Sequence, residues 1–331
     1  MGPGLLYGRP DTLSMVVIGD VMMHARQLEY DCTPFLEHLS GRFRDADIAV
    51  ANMEFTLAGA PYTGYPAFSA PDSYADYIAD LGVGVFLTAN NHILDKGRAG
   101  LQRTLRKYRT MDGIRIAGTA EDGRADSLSY PLLLAEKGLR IALLNFTYGT
   151  NTGSGDGWPR VHLENREDIR RAMDRARRLG ADYVVALPHW GVEYRLRHSP
   201  EQEDLARWLA EQGADVIVGS HPHVVQDSCR IGGTTVFYSL GNAVSNMSAP
   251  NTRLELMVTL RFTRDRTGRT EMLPPQAEFL WCTLPGTLTD NYATIPVKEY
   301  IGKRDLWKNP YDYDNMMTTY RRVKAATGIE D

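Results

Sequence analysis

Residues 182–223 read DYVVALPHWGVEYRLRHSPEQEDLARWLAEQGADVIVGSHPH and contain one complete strand–helix–strand unit. Apolar runs predict strands over 182–187 and 215–218, and the spacing of apolar residues predicts a helix over 200–212. Gly213 is suited to end this helix just before the second strand. Each strand runs directly into a histidine motif. The unit therefore predicts an α/β protein with functional groups at the carboxyl ends of its strands.

The same alternation of strand and helix continues along the chain. Further strands are predicted over 15–18, 47–51, 83–88, 140–145 and 234–238, and further helices over 34–43, 73–81, 98–109 and 166–179. After Gly241 the pattern changes to strands over 253–262 and 276–281, which we expect to complete a second sheet. These elements favour a two-sheet α/β sandwich with helices outside.

One domain is predicted over 15–285. It lies between an N-terminal extension, 1–14, and a C-terminal wrapping extension, 286–331, which has a final helix near 315–326. The length of 331 residues and the hydrophobic share of 43% are sufficient for one large core.

The charge balance and the ends of the chain restrict the class of partner and the location. The formal net charge is -4 with no long run of one sign, so neither nucleic acid nor a membrane surface is indicated, and we expect a small molecule or a polymer end as partner. The start lacks a signal-peptide pattern, and no stretch approaches the ~20 apolar residues of a membrane helix. We expect a cytoplasmic location for the chain as written, and a periplasmic or envelope-associated one if a leader was removed.

Polar motifs follow the predicted strands. They are Gly19-Asp20, Asn52-Met53-Glu54, Asn90-Asn91-His92, His189-Trp190-Gly191, Gly219-Ser220-His221-Pro222-His223 and Ser239-Leu240-Gly241-Asn242. A strand-end aspartate alone is equally typical of a helix cap. Three histidines, two carboxylates and an asparagine at equivalent positions are instead typical of a site for zinc, manganese or iron, whereas calcium and magnesium prefer oxygen ligands alone. The predicted ligands of one or two divalent ions are Asp20, Glu54, Asn91, His189, His221 and His223.

The roles within this set follow from the side-chain chemistry. In an extended segment, His221 and His223 would point the same way and face one ion pair; the alternative is a turn whose rings bond to the nearby backbone. Glu54 has two oxygens and could bridge two ions. His92, beside the amide of Asn91, could move a proton; the alternative is a polar turn that caps the next helix.

The charge of such a site predicts the chemistry of its substrate. Two divalent ions against the carboxylates of Asp20 and Glu54 leave a net positive site even with a bound hydroxide, so the site should prefer anions such as phosphate esters. Metal-activated hydroxide would be the nucleophile.

Taken in order, these motifs resemble the bacterial capsule-synthesis family of the CapA/PgsA type, which is associated with poly-γ-glutamate and is similar to the calcineurin-like metallophosphoesterases. The resemblance covers about residues 15–246. It implies a four-layer αββα sandwich and two metal ions, with Asp20, Asn91, His189, His221 and His223 as ligands and His92 as the catalytic histidine. The usual Asp-x-His of the superfamily is Asp20-Val21-Met22 here, and its Gly-Asp-x-x-Asp is present only as Asn52-Met53-Glu54, so one ion position lacks a ligand.

The expected substrate-binding residues lie beside these motifs. They are Asn52, His24, Glu193 and Arg195. His24 would face substrate or replace the missing ligand, and the charged pair after the His189 motif would recognise an anionic or polymeric substrate. The alternative for that pair is a solvated approach to the following helix.

Two functions of different classes fit this sequence. The first is a metal-dependent hydrolase that acts on a phosphate ester or another anionic bond in capsule or cell-envelope polymer metabolism. The second is a noncatalytic capsule-assembly factor that binds polymer, or other capsule-synthesis proteins, through the same pocket. A phosphate-binding loop that ends in Gly-Lys-Ser or Gly-Lys-Thr is absent from the sequence, so the chain is not expected to activate glutamate by itself.

Overall fold

The computed structural model describes residues 12–153, 157–265 and 267–331. Within these ranges the strands are β1 (Thr12–Val21), β2 (Ile48–Met53), β3 (Val85–Leu87), β4 (Arg115–Ala117), β5 (Thr119–Ala120), β6 (Leu132–Glu136), β7 (Leu139–Thr147), β8 (Arg160–Val161), β9 (Tyr183–His189), β10 (Val216–Val218), β11 (Ser228–Ile231), β12 (Thr234–Phe237), β13 (Leu254–Arg264), β14 (Thr270–Thr283) and β15 (Ala293–Pro296). The helices are α1 (Ser40–Asp45), α2 (Asp72–Asp80), α3 (Gly97–Arg109), α4 (Gly123–Ser129), α5 (Arg166–Arg178), α6 (Pro200–Glu211), α7 (Val297–Tyr300) and α8 (Pro310–Thr327). Residues 1–11, most of the predicted N-terminal extension, lie outside the described ranges.

Two sheets carry the fold. Across the described ranges, one sheet has seven strands in the order β15-β14-β13-β1-β2-β3-β4, and the other has six in the order β11-β12-β10-β9-β7-β6. Strands β1 to β4 are mutually parallel, and so are β7, β9, β10 and β12. Functional loops can therefore gather where these parallel strands end.

The sandwich is built by alternation of side chains along each strand. In β1, Met15 and Val17 belong to the core cluster between the sheets, whereas Val16 and Ile18 belong to the cluster that includes residues of α1 and α2. Because side chains of a strand point alternately to its two faces, an apolar strand of this kind must be covered on both sides.

The second sheet repeats this arrangement. Leu143 of β7 lies in the core cluster between the sheets, and Leu144 packs in the outer cluster with Ile169 and Met173 of α5. Leu205 of α6 lies in that same outer cluster. Helices thus cover the outer face of each sheet, and the predicted four-layer αββα sandwich is confirmed.

The prediction that the strands after Gly241 complete the second sheet is wrong. Strand β13 pairs antiparallel with β1, and β14 and β15 follow it at the edge of the seven-stranded sheet. The periodicity of a strand shows which residues face the core, but it carries no information on which partner strand pairs with it. Because β15 pairs with β14, this sheet also continues beyond residue 285.

The predicted helix over 34–43 is wrong over its first half. The chain forms a short 3₁₀ turn, Glu37–Leu39, before α1. The carbonyl of Phe35 accepts a hydrogen bond from the backbone N–H of Thr294 at 2.8 Å, and the N–H of Leu36 donates to the Tyr77 hydroxyl at 2.8 Å. The first of these bonds occupies a carbonyl that a helix would need for its own ladder, and both fix this segment to distant parts of the chain.

The C-terminal helix α8 is fixed to the sandwich by a buried ion pair. The Arg253 guanidinium contacts both carboxylate oxygens of Asp312, and the guanidinium also lies 4.4 Å from the ring centre of Trp281. Met316 and Val323 of α8 join the core cluster between the sheets. In the described part of the chain, no helix combines the length and apolar character needed to cross a membrane.

Candidate metal centre

The strand-end motifs of the two sheets meet because the chain crosses from one sheet to the other after β12. The backbone N–H of Asp20 donates to the carbonyl of Gly241 at 3.0 Å, and the N–H of Ala243 donates to the carbonyl of Asp20 at 2.9 Å. Gly19 allows this approach, because a Cβ there would lie 2.0 Å from the Gly241 oxygen. The crossing segment brings Asp20 to the histidine motifs of the second sheet.

Glu54 lies at the centre of the cluster, immediately after β2. Its Oε1 atom is 3.9 Å from Nε2 of His189, 3.9 Å from Nε2 of His223 and 4.0 Å from Nε2 of His92. Both carboxylate oxygens are buried and have no hydrogen-bond partner among the described residues. A buried carboxylate without hydrogen bonds is costly in a folded protein unless a cation accompanies it.

The side chains form three overlapping groups in which the ligand atoms lie within 4.8 Å of one another. These groups are Glu54, His189 and His221; Asp20, Glu54 and His223; and Glu193, His221 and His223. Bonds of about 2.0–2.2 Å from an ion to nitrogen and oxygen ligands put donor atoms roughly 3–4 Å apart. The first two groups share Glu54, which is the arrangement that two neighbouring ions with a bridging carboxylate require.

The expectation that His221 and His223 lie in an extended segment is wrong. Both have left-handed backbone conformations, with φ of 100° and 59°. Their rings still face the same centre, with centroids 6.0 Å apart. The turn aims each ring separately, and the backbone N–H of His221 donates to Oδ2 of Asp20 at 3.2 Å. Such rare backbone conformations in bulky residues are typical of functional sites.

Neighbouring polar groups orient the histidine rings. Nδ1 of His223 lies 2.8 Å from Oδ1 of Asn242, so its Nε2 is directed toward Glu54. Nδ1 of His189 lies 2.9 Å from the hydroxyl of Ser220, and its Nε2 lies 2.7 Å from Oδ1 of Asn91. Asn242 and Ser220 are partners of the kind that fix the ring orientation and tautomer of metal-binding histidines.

Asn52 lies inside the cluster and not in the cavity beside it. Its amide nitrogen donates to Oδ1 of Asp20 at 2.7 Å and lies 3.3 Å from Nδ1 of His189. The residue is buried, and it is not among the residues that line the cavity. Its position is that of a group that orients Asp20, which differs from the expected contact with substrate.

His92 is paired with an aspartate that the sequence reasoning did not single out. Nδ1 of His92 lies 2.7 Å from Oδ2 of Asp95, and the same oxygen accepts the backbone N–H of Phe68 at 2.8 Å. The Phe68 ring packs edge-on against the imidazole, with centroids 4.7 Å apart. The sequence contains this pair as His92-x-x-Asp95, and this spacing lets the two side chains meet across one turn.

The electrostatics of the cluster suit a cation. Burial, followed by the negative charge of Asp20, raises the pKa of Glu54 well above its usual value. Burial lowers the pKa of His189 well below its usual value and that of His221 to about 3. Burial also opposes the ionisation of Asp20 and His223. Their mutual hydrogen bond favours the charged form of each and outweighs burial, so that the pKa of Asp20 is lowered to about 2 and the pKa of His223 is raised.

A divalent ion would therefore meet two neutral imidazoles and one ionised carboxylate, and it would displace the protons of Glu54 and His223. Together with the unpaired oxygens of Glu54 and the unpaired Nδ1 of His221, this donor set fits one or two transition-metal ions.

A cavity of about 640 Å³ opens beside the cluster. It is lined by Met22, His24, Tyr65, Pro66, Ala67, Asn91, His92, Asn151, Thr152, Glu193, Tyr194, His223 and Met247. His24 thus lies on the cavity wall, where its backbone N–H donates to Oε1 of Gln27 at 2.8 Å, and burial lowers its pKa to about 4. Glu193 lies at the cavity as expected. Arg195 is not among the lining residues, and its carbonyl instead accepts a hydrogen bond from the Gln226 side chain at 2.8 Å.

Comparisons with known proteins show the family of this chain. A family model described as "Bacterial capsule synthesis protein PGA_cap" matches residues 14–247. The chain is 30% identical over 281 residues to the "PGA biosynthesis protein CapA" of Bacillus subtilis (strain 168), which covers 80% of this chain and 71% of that protein. It is 28% identical over 284 residues to the "Capsule biosynthesis protein CapA" of Bacillus anthracis, with 80% of this chain and 67% of that protein covered.

Similar solved structures share the fold at low sequence identity. A putative 5'-nucleotidase from Staphylococcus aureus matches with a TM-score of 0.55 and 13% identity over 81% of this chain, which spans 54% of that protein. The NAD nucleotidase of Haemophilus influenzae matches with a TM-score of 0.51 and 12% identity over 96% of this chain and 68% of that one. At these identities the likeness establishes the fold alone.

Proposed function

The chain belongs to the bacterial capsule synthesis PGA_cap family, and from this membership and the strand-end cluster we propose that it is a metal-dependent hydrolase. Its substrate would be a phosphate ester or another anionic compound of capsule or cell-envelope polymer metabolism. The observation that carries the proposal is Glu54, whose two buried oxygens have no hydrogen bond to any described residue although three histidine nitrogens lie within about 4 Å.

The proposed ligands divide into two sets around Glu54. One ion would be held by Glu54, Asn91, His189 and His221, and the other by Glu54, Asp20 and His223. Divalent ions supply positive charge that stabilises a developing anion, and they lower the pKa of a coordinated water. Among the ions discussed, manganese, zinc or iron suit a nitrogen-containing donor set better than magnesium or calcium.

The proposed proton carrier is His92, because its two ring nitrogens face different groups. Nδ1 bonds to Asp95, which keeps a proton on that nitrogen, and Nε2 lies 4.0 Å from Oε1 of Glu54 in a residue that lines the cavity. A protonated Nε2 can donate to the oxygen of a leaving group, and Asp95 stabilises the imidazolium from which that proton leaves. Asp95 therefore acts as a positioning residue for His92.

The cavity wall suggests the form of the substrate. Among the described lining residues there is no lysine or arginine, and Glu193 is acidic. The tyrosines Tyr65 and Tyr194 are exposed at the cavity. A substrate with one anionic group at the metal ions and an uncharged, ring-bearing remainder against these tyrosines would suit such a wall better than a molecule with many negative charges.

The test measures metal and turnover on the same samples. Elemental analysis of the wild-type protein and of the His221→Ala/His223→Ala variant is followed by assays with p-nitrophenyl phosphate and bis-p-nitrophenyl phosphate. We expect stoichiometric transition metal and metal-dependent turnover in the wild type, and loss of both in the double variant. Absence of metal after reconstitution with manganese and zinc would refute the proposal.

A second candidate is supported by the names of the relatives, which are capsule and poly-γ-glutamate biosynthesis proteins. The same cavity would then bind polymer without turnover, as a noncatalytic assembly factor. The His92→Ala substitution separates the two, because it removes a proton carrier and no proposed metal ligand. A hydrolase should lose activity and fail in complementation with this variant, whereas an assembly factor should continue to function.

A further inference from the structure

The loop between β9 and α6 carries an acidic side chain to the metal centre from outside. The Glu193 carboxylate lies with the ring nitrogens of His221 and His223 in one of the three groups of donor atoms that fall within 4.8 Å. The other two carboxylates of the centre, Asp20 and Glu54, are buried at strand ends, whereas Glu193 is exposed. Glu193 thus approaches the centre from a loop on the outside of the protein.

The backbone of this loop is held firmly over the histidine turn. The N–H of Tyr194 donates to the carbonyl of Pro222 at 2.8 Å, and Tyr194 itself has a left-handed φ of 66°. The buried side chain of Gln226 donates to the carbonyl of Arg195 at 2.8 Å and accepts from Gln202 at 2.9 Å. Tertiary bonds therefore place Glu193 beside the centre, and only its side chain has to turn to reach an ion.

The ion position formed by Asp20, Glu54 and His223 is short of one metal-binding donor. The group formed by Asp20, Glu54 and His223 offers three protein ligands, and Met22, two residues after Asp20, is buried at the cavity. A thioether is a poor ligand for zinc, manganese or iron(II) compared with imidazole or carboxylate. Nearby, Nδ1 of His221 is unpaired although the residue is only 4% exposed.

We propose that Glu193 is the fourth protein ligand of the ion held by Asp20, Glu54 and His223, where the thioether of Met22 offers no suitable donor. This inference rests on the metal centre of the proposed function. The group with Glu193 contains His223 of this set and His221 of the other, so Glu193 lies close to both ion positions. We assign it to the position with Asp20, Glu54 and His223 because that position has three protein ligands and the other has four. Glu193 is then a metal ligand, and recognition of substrate is not its main role.

The carboxylate of Glu193 also changes the charge of the centre. Three carboxylates against two divalent ions leave one net positive charge, compared with two when Asp20 and Glu54 are the only acids. A weaker positive field suits a substrate with a single anionic group, which agrees with the absence of basic residues among the described residues of the cavity wall.

Metal titration of the full chain tests this assignment without any substrate. Isothermal titration calorimetry with Mn²⁺ alone is performed on chelator-stripped wild type, Glu193→Gln, the Met22→His/Glu193→Gln double variant and Glu211→Gln. Glu211 is an exposed residue at the end of α6 and gives a control for the same charge change. Thermal unfolding in chelator verifies that each variant is folded, and Glu193→Gln should leave it unchanged because the side chain is exposed.

We expect two bound ions in the wild type and in Glu211→Gln. In Glu193→Gln one ion should bind as before and the other at least tenfold more weakly, by analogy with the losses of about 10–100-fold seen for outer partners of ligands. The added histidine should restore the second ion in the double variant. Two ions of wild-type affinity in Glu193→Gln, or a single ion in the wild type, would overturn the assignment. Because turnover is not measured here, failure of the hydrolase proposal is detected separately.

Discussion

The Glu255→Gln substitution should make the protein more stable at neutral and alkaline pH. Glu255 is completely buried in β13, directly behind the strand end that carries Asp20. Its Oε1 accepts the backbone N–H of Gly19 at 2.9 Å, and its Oε2 has no partner among the described residues. Burial, opposed by the Gly19 bond and assisted by the charge of Asp20, raises the pKa of this carboxyl well above its usual value.

The magnitude follows from proton linkage. The unfolded chain loses the Glu255 proton near pH 4.3, whereas the folded chain keeps it to a higher pH, so the stability that this group contributes is complete below pH 4.3 and is lost as the pH rises through the folded-state pKa. Between these limits the free energy of unfolding falls by about 1.4 kcal/mol per pH unit. Glutamine keeps an oxygen for the Gly19 bond and has no proton to lose.

Relative to wild type, the variant should therefore gain stability as the pH rises through this range, by roughly 1 kcal/mol for each pH unit. With an unfolding entropy of about 0.7 kcal/mol/K for a chain of this length, the gain corresponds to roughly 1–2 °C in Tm for each pH unit. Urea unfolding of both proteins at pH 5, 6, 7 and 8 in chelator measures this difference in unfolding free energy. The difference isolates residue 255 because every other titrating group, including Glu54, is common to both proteins. A difference in unfolding free energy that stays constant from pH 5 to pH 8 would refute the reasoning.

Three further substitutions test the centre itself. Asp95→Asn should lower kcat by about 10²–10⁴-fold with unchanged metal content, because the amide no longer fixes the tautomer of His92. A loss of bound metal that accompanies the loss of kcat would instead indicate a structural role. Gly19→Ala should cost about 1–3 kcal/mol or more and weaken metal binding, because its Cβ would lie 2.0 Å from the Gly241 oxygen; a crystal structure with the crossing segment undisturbed would contradict this. Glu54→Gln should weaken Mn²⁺ binding at least 100-fold, by analogy with the loss of a ligand partner. It should leave the Tm in chelator the same or higher, since it removes a buried ionisable group. A large fall in Tm without metal would show that the carboxylate is needed for folding.

The sequence by itself determined the class of fold and most of the centre. The period-two and helical patterns predict strands and helices locally, and helices α2, α3, α5 and α6 lie within two residues of their predicted limits. The chemistry of the strand ends is also local, because a histidine or carboxylate that directly follows a parallel strand must lie at the edge where neighbouring strands end. This is why the sequence-predicted ligands Asp20, Glu54, Asn91, His189, His221 and His223 could be named before their distances were known.

Only the tertiary structure decided which groups assist these ligands. The pairing of β13 with β1 puts Glu255 behind Gly19, and the left-handed turn at His221 and His223 aims two rings that an extended segment would have aimed differently. Arg195 and Glu193 are equivalent in sequence as charged loop residues, yet only Glu193 lines the cavity. Which of two neighbouring side chains reaches the site depends on backbone hydrogen bonds between segments far apart in the chain, and no local pattern encodes those long-range contacts.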